Sequence, residues 1–155
     1  MRGKQAPKRA KKPDHEYHST AVQELINKVM RDGKMSTAET IVYDAFEKMK
    51  EQSKKDAIEV FNKALENIRP TVELRSRRVG GANYQVPMPV TKERGNSLAI
   101  KWVVTLARKA GGKNMANKLA KEFMDAYSNT GDAITKKETT HKMAEANKAF
   151  AIFRW

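Results

Sequence analysis

Apolar residues recur along most of the chain at three- and four-residue spacing, the period of helices buried along one face. The first run is Val22, Leu25, Ile26, Val29 and Met30; Thr20 and Gln23 are spaced as a capping box, and Gly33 follows the last apolar turn. A second helix is predicted from Ser36, with Glu39 in the capping position and a stripe of Ile41, Val42, Ala45, Phe46 and Met49. A third opens at Asp56 with Glu59, buries Ala57, Val60, Phe61, Ala64, Leu65 and Ile68, and stops before Pro70, which cannot continue it. Past residue 90 the helical period returns. A fourth helix begins between Thr91 and Asn96 and ends before Gly111 and Gly112, with Ala99, Trp102, Val103, Leu106 and Ala110 as its core face. A fifth begins near Asn114 and carries Ala116, Leu119, Ala120, Phe123 and Tyr127. A sixth opens on the capping box Thr135 and Glu138 and continues through Met143, Ala144, Asn147 and Phe150.

Between the third and fourth helices the period drops to two. Over 71–79, Val72 and Leu74 alternate with Glu73, Arg75 and Arg77; over 84–90, Val86, Met88 and Val90 alternate again, and Gly80, Gly81, Ala82 and Asn83 form the turn. Pro87 and Pro89 donate no hydrogen bond to a ladder, so their strand belongs at an edge. Two strands alone are marginal in water. The expected fold is therefore mainly α: a bundle of about six helices with one protruding β-hairpin arm at 71–90, all in a single helical domain over 14–155. Residues 1–13 hold Lys, Arg, Ala, Gln and two prolines without a bulky apolar side chain apart from Met1, and read as a basic disordered tail that orders only on a partner.

The chain has 155 residues, enough to bury a core without metals or disulfides, and it has no cysteine. Its net charge of +13 is unevenly spread. Residues 1–12 carry six basic and no acidic side chains, while 13–68 carry eight basic and eleven acidic. Residues 69–101 carry seven and two, 102–121 five and none, and 122–155 five of each. The excess is thus confined to the tail and to 69–121. A polyanion partner accounts for that segregation, and nucleic acid is the commonest. No segment is apolar enough for a membrane span, and no apolar stretch stands behind the basic tail as a secretory signal requires.

Catalytic chemistry finds little footing. His15 and His18 are spaced to share a metal on a helix, but beside Pro13 they read as a helix entrance. His141 stands alone next to Lys142. Gly80-Gly81 and Gly111-Gly112 lack the flanking residues of a phosphate loop or dinucleotide fingerprint. The acidic residues lie away from the basic stretch, which argues against a metal-dependent nuclease. The methionines, among them Met30, Met49, Met124 and Met143, read as core filler. No enzyme, cofactor, metal or small-molecule substrate is expected.

The basic positions form groups. Arg2, Lys4, Lys8, Arg9, Lys11 and Lys12 make up the tail. Arg75, Arg77 and Arg78 crowd one strand, with Tyr84 facing them; guanidinium forks suit phosphate oxygens, and a phenol offers a stacking face. Arg94, Lys101 and Arg108 recur every seven residues, and such positions drift only ~20° per heptad on a helix, so they form one stripe beside Ser97 and Thr105. Lys113 and Lys118 follow at the start of the next helix, where N–H groups also attract phosphate. Lys34, Lys109, Lys136, Lys142 and Arg154 complete the candidate RNA contacts.

Several ordered motifs then point to a family. The run RPTVELRSRRVGGANYQVP at 69–87 closely resembles the hairpin of the ribosomal protein seven family of the small subunit. So do DGK at 32–34 followed by STAE at 36–39 and IVY at 41–43, and the ending MAEANKAFA at 143–151 followed by FRW at 153–155. The resemblance covers residues 13–155; Met35 departs from it, standing where a second basic residue often follows the Gly-Lys, and the tail matches only in being basic. It implies a helical domain with a protruding hairpin, and binding to the 3′ major domain of small-subunit rRNA, where the protein nucleates assembly of the head. It implies a place near the exit-site tRNA and mRNA, beside neighbouring proteins of the head and platform, in the cytoplasmic 30S-type subunit. The alternative on charge alone is a stand-alone regulatory protein that binds mRNA or DNA; the hairpin-plus-tail pattern separates the two.

Overall fold

The computed structural model describes Gly3, residues 10–112 and residues 114–154. Arg2, Lys4, Lys8, Arg9 and Lys113, and with them most of the tail expected to be disordered, lie outside the described residues. The described chain forms α1 (Thr20–Val29), α2 (Met35–Ser53), α3 (Ala57–Ile68), β1 (Val72–Val79), β2 (Ala82–Pro89), α4 (Lys92–Lys109), α5 (Met115–Tyr127), α6 (Asp132–Ala146) and a C-terminal 3₁₀ helix (Lys148–Phe153). The mainly helical reading with one hairpin is what the structure has.

The core is built on the predicted stripes. Val22, Leu25 and Ile26 of α1, Val42, Phe46 and Met49 of α2, and all six expected residues of α3 are buried. An aromatic chain threads them: Tyr17 lies 5.1 Å from Phe46, Phe46 lies 5.2 Å from Phe61, and Phe61 lies 5.3 Å from Phe123 of α5, centroid to centroid. Burying each of the three phenylalanine side chains contributes roughly 1.5–3 kcal/mol. Helix α5 packs against α2, α3 and α4, and α4 also meets α1, α3 and α6. Because α4 has helices on several sides, its buried arc is broader than the stripe read from sequence and turned from it. Leu98, Ala99, Ile100, Val103, Val104 and Ala107 are buried, while Trp102 and Leu106 are half-buried and Ala110 is exposed. Met143 is a further correction: it is exposed, not core.

Three helix starts differ from the expected capping boxes. Ser19, not Thr20, precedes α1 and makes no side-chain cap; α2 opens one residue before Ser36, with Lys34 at the cap position; α6 opens at Asp132, three residues before Thr135. Thr135 Oγ1 donates instead to the Gly131 carbonyl 3.1 Å away, the back-bonding that a hydroxyl inside a helix favours over capping. Gly131, at φ +89°, turns the chain tightly enough for α6 to begin early. Asp56, Thr91 and Asn114 do cap α3, α4 and α5 with their side chains.

The hairpin turn is shorter than the four residues expected. Val79 pairs with Ala82, leaving Gly80 and Gly81 at φ +57° and +88° as a two-residue loop. Positive φ at both positions matches the twist of the strands and suits glycine. The arm is also rooted more firmly than an appendage. Val86 and Pro87 are buried, the Thr71 N–H donates to His141 Nε2 at 3.2 Å, and β2 packs on the 3₁₀ helix. Helix α4 crosses this root closely. Gly95 is buried there, and a Cβ on it would lie 2.6 Å from Arg69 Cγ and 3.3 Å from the Pro70 carbonyl.

Candidate nucleic-acid interface

Helices α1, α2, α4 and α5 meet at one end of the bundle around an open cleft of about 330 Å³. Its floor is apolar: Val29, Met30, Ala38, Ile41 and Met115. Its rim is cationic: Arg31, Lys34, Arg108 and Lys118. Three of these four rim residues, Lys34, Arg108 and Lys118, were candidates from the sequence, and the fold brings them together from three separate regions. Arg31 was missed. Its only signal was its place beside the DGK turn, which the charge pattern of residues 13–68, net acidic, obscured.

Local structure positions each cation. Arg108 Nη2 donates to the carbonyls of Lys28 at 3.0 Å and Val29 at 3.1 Å, so a positive charge caps the negative end of the α1 dipole. Burial pushes the Arg108 pKa below its ordinary value, and the like charge of Arg31 adds to the fall. Lys118 runs past Gly112, where a Cβ would lie 3.7 Å from Lys118 Cε. The α5 N-terminus, which the sequence suggested for an anion, is already served: Asn114 Oδ1 accepts the N–H groups of Ala116 at 2.9 Å and Asn117 at 3.3 Å. The α2 N-terminus opens on the same cleft, has no side-chain cap and has no acid in its first turn.

From the cleft, α4 leads to the hairpin. Arg94, Lys101 and Arg108 are all exposed on it, as the seven-residue spacing requires, and they span about 21 Å at 1.5 Å per residue. The stripe does contain internal partners, contrary to expectation. Glu73 of β1 is buried, with Arg75 Nη2 at 2.6 Å from Oε1 and Arg94 Nη2 at 3.1 Å from Oε2. Burial pushes the Glu73 carboxyl up, but the hydrogen bonds and charges of Arg75 and Arg94 outweigh it, and its pKa ends below the ordinary carboxylate range. One acid thus orients two guanidinium groups, each about half exposed, whose remaining N–H groups face water.

The other candidates spread around this axis. Arg77 pairs across the hairpin with Tyr84 and Arg78 with Asn83, near the turn. The Tyr84 ring is less open to a base than its sequence context suggests, because it packs 5.1 Å from Phe150 and 5.2 Å from Phe153. Lys11 forms an ion pair with Glu24 of α1, and Lys12 beside it is exposed. Lys109 is exposed at the end of α4. Lys136 and Lys142 are exposed on α6, which packs against β1, α3, α4 and α5. Arg154 donates to the Pro87 carbonyl at 3.0 and 3.3 Å and pins the chain end to the hairpin.

Carboxylates are placed for structure. Asp14 is buried and accepts from the Tyr43 hydroxyl at 2.7 Å and the N–H groups of Tyr17 at 2.8 Å and Glu16 at 3.1 Å. Among the described residues, no three His, Asp or Glu side chains gather as metal ligands would, and no helix is long and apolar enough to cross a membrane.

The family model described as ribosomal protein S7p/S5e matches residues 1–148 of this chain. The chain is 57% identical to the small ribosomal subunit protein uS7 of Streptococcus suis over 154 residues, covering 99% of each chain. It is 56% identical to the uS7 proteins of Streptococcus sanguinis and Streptococcus pneumoniae over the same length and the same coverage.

Proposed function

Because the chain belongs to the S7p/S5e family of ribosomal proteins, in its bacterial form, we propose that it binds the lower 3′ major domain of small-subunit rRNA and nucleates assembly of the subunit head. As a small-subunit ribosomal protein it is a non-enzymatic structural component of the cytoplasmic ribosome, in contact with rRNA and other ribosomal proteins. Its place within the subunit, on this reading, is near the exit-site tRNA and the messenger, beside proteins of the head and platform. The observation that carries the RNA reading is the set of basic side chains at the cleft (Arg31, Lys34, Arg108 and Lys118), on α4 (Lys101 and Arg94) and on the hairpin (Arg75, Arg77 and Arg78). Its members on α4 and α5, Arg94, Lys101, Arg108 and Lys118, fall in a stretch of sequence, from Arg94 to Lys121, that holds no acid.

Phosphates neutralised along such a surface release counterions and supply affinity without reading bases. The half-exposed guanidinium groups held by Glu73 add oriented forks that match phosphate oxygens. Crosslinking the protein within native small subunits and mapping the attached RNA tests the assignment. Attachment through α4, the cleft and the hairpin to the 3′ major domain is the expected result. Attachment confined to another domain contradicts it.

A further inference from the structure

We propose that the cleft between α1, α2, α4 and α5 receives an unstacked RNA base, with the flanking phosphates on its cationic rim. The inference rests on the RNA-binding reading above and goes beyond it, because a phosphate-binding surface needs no cavity and no apolar floor. Here both are present. The cleft holds about 330 Å³, at the lower end of the range of small-ligand sites, which run from ~300 Å³ upward. Met30, Ile41 and Met115 line it with polarizable and aliphatic groups that can pack on the face of a ring. Arg31, Lys34, Arg108 and Lys118 surround that floor, so an occupant must be apolar in its body and anionic at its edge. A nucleotide of a single strand combines those properties, with a flat ring for the floor and phosphates on both sides for the rim.

Asp32 sharpens the argument. It is the one acid in the lining and is held at φ +53° in the turn between α1 and α2. A carboxylate there would repel a phosphate, but it accepts the N–H groups that bases carry on their edges. Thr37, also in the lining, is exposed in the first turns of α2.

The test uses the full chain, a uridine decamer, and a decamer of the same backbone in which the riboses carry no base. The parent protein should bind the uridine chain about tenfold more tightly than the abasic chain. Thr37→Leu, a surface change that narrows the cleft with no ring to stack on and no change of charge, should reduce that preference and leave the salt dependence of binding intact. The comparison on the parent needs no substitution, so it stands whatever the variant does to the fold. Equal binding of the two decamers by the parent overturns base insertion while leaving the phosphate reading in place. A preference undiminished in Thr37→Leu also overturns it, because the base contact then lies elsewhere. Binding to neither decamer overturns the inference together with the role of the cleft in RNA binding.

Discussion

Arg94 of α4 donates to Glu73 of β1 through Nε at 3.2 Å and Nη2 at 3.1 Å, and this pair fastens the hairpin to the helical body. Glu73→Gln removes the charge that both Arg75 and Arg94 meet. It should lower stability by about 1–2 kcal/mol, less than a fully buried charged pair because both guanidinium groups are half in water. The sign with pH follows from the lowered pKa. The folded protein holds the carboxylate more readily than the unfolded chain, so the contribution is present above the ordinary Glu range and is lost as pH falls through the lower folded value. Urea unfolding of parent and variant should therefore give a difference that shrinks on acidification. A constant difference would show that the pair acts through packing alone.

Tyr84, on the same face of the hairpin as Glu73 and Arg75, ties the arm to the chain end. Its ring meets Phe150 and Phe153, and Arg154 holds the Pro87 carbonyl. Tyr84→Ala should cost about 1–3 kcal/mol and speed amide exchange throughout the 3₁₀ helix. Unchanged exchange there would mean that the helix is held by contacts other than the aromatic group.

Glu122 titrates in the opposite sense. Its Oε2 is buried with no hydrogen-bond partner among the described residues, and burial, then Asp132 and Asp125, raise its pKa. A raised folded pKa in an acid means that stability falls as pH rises through the ordinary Glu range and on through the folded value. Glu122→Gln should then stabilise the protein at neutral pH by less than about 1 kcal/mol, since part of the side chain reaches water. Thermal unfolding at acidic and neutral pH checks this; destabilisation at neutral pH would mean that the ionised carboxylate has a partner in solution.

Much of this architecture was legible in the chain. The stripes of α1, α2, α3 and α5 are written in apolar spacing, and the hairpin in alternation around two glycines. The side-chain caps at Asp56 and Asn114 follow from local chemistry. What escaped depends on tertiary neighbours. Glu73 alternates as a solvent-facing residue, yet Arg94, 21 positions away, draws it into the root of the arm. Arg108 looks like a free surface cation, yet the end of α1 takes its hydrogen bonds. The cleft itself is formed by residues from four helices, and no linear pattern brings Arg31 to Lys118.

The RNA-docking role of the cleft and of α4 is tested most directly by a salt titration. Arg94 and Arg108 are unsuited to it because both hold the fold together. Lys34, Lys101 and Lys118 have no ion pair among the described residues and mark the cleft and the helix leading from it. Replacing all three by Gln should leave stability within ~0.5 kcal/mol for each of the exposed Lys34 and Lys101, and cost little more at the half-buried Lys118. Binding to a 3′ major domain fragment of small-subunit rRNA should weaken, and the slope of log affinity against log salt should flatten by roughly one for each phosphate that the variant no longer neutralises. An unchanged slope and affinity would contradict the account and move the docking surface to the tail and the hairpin.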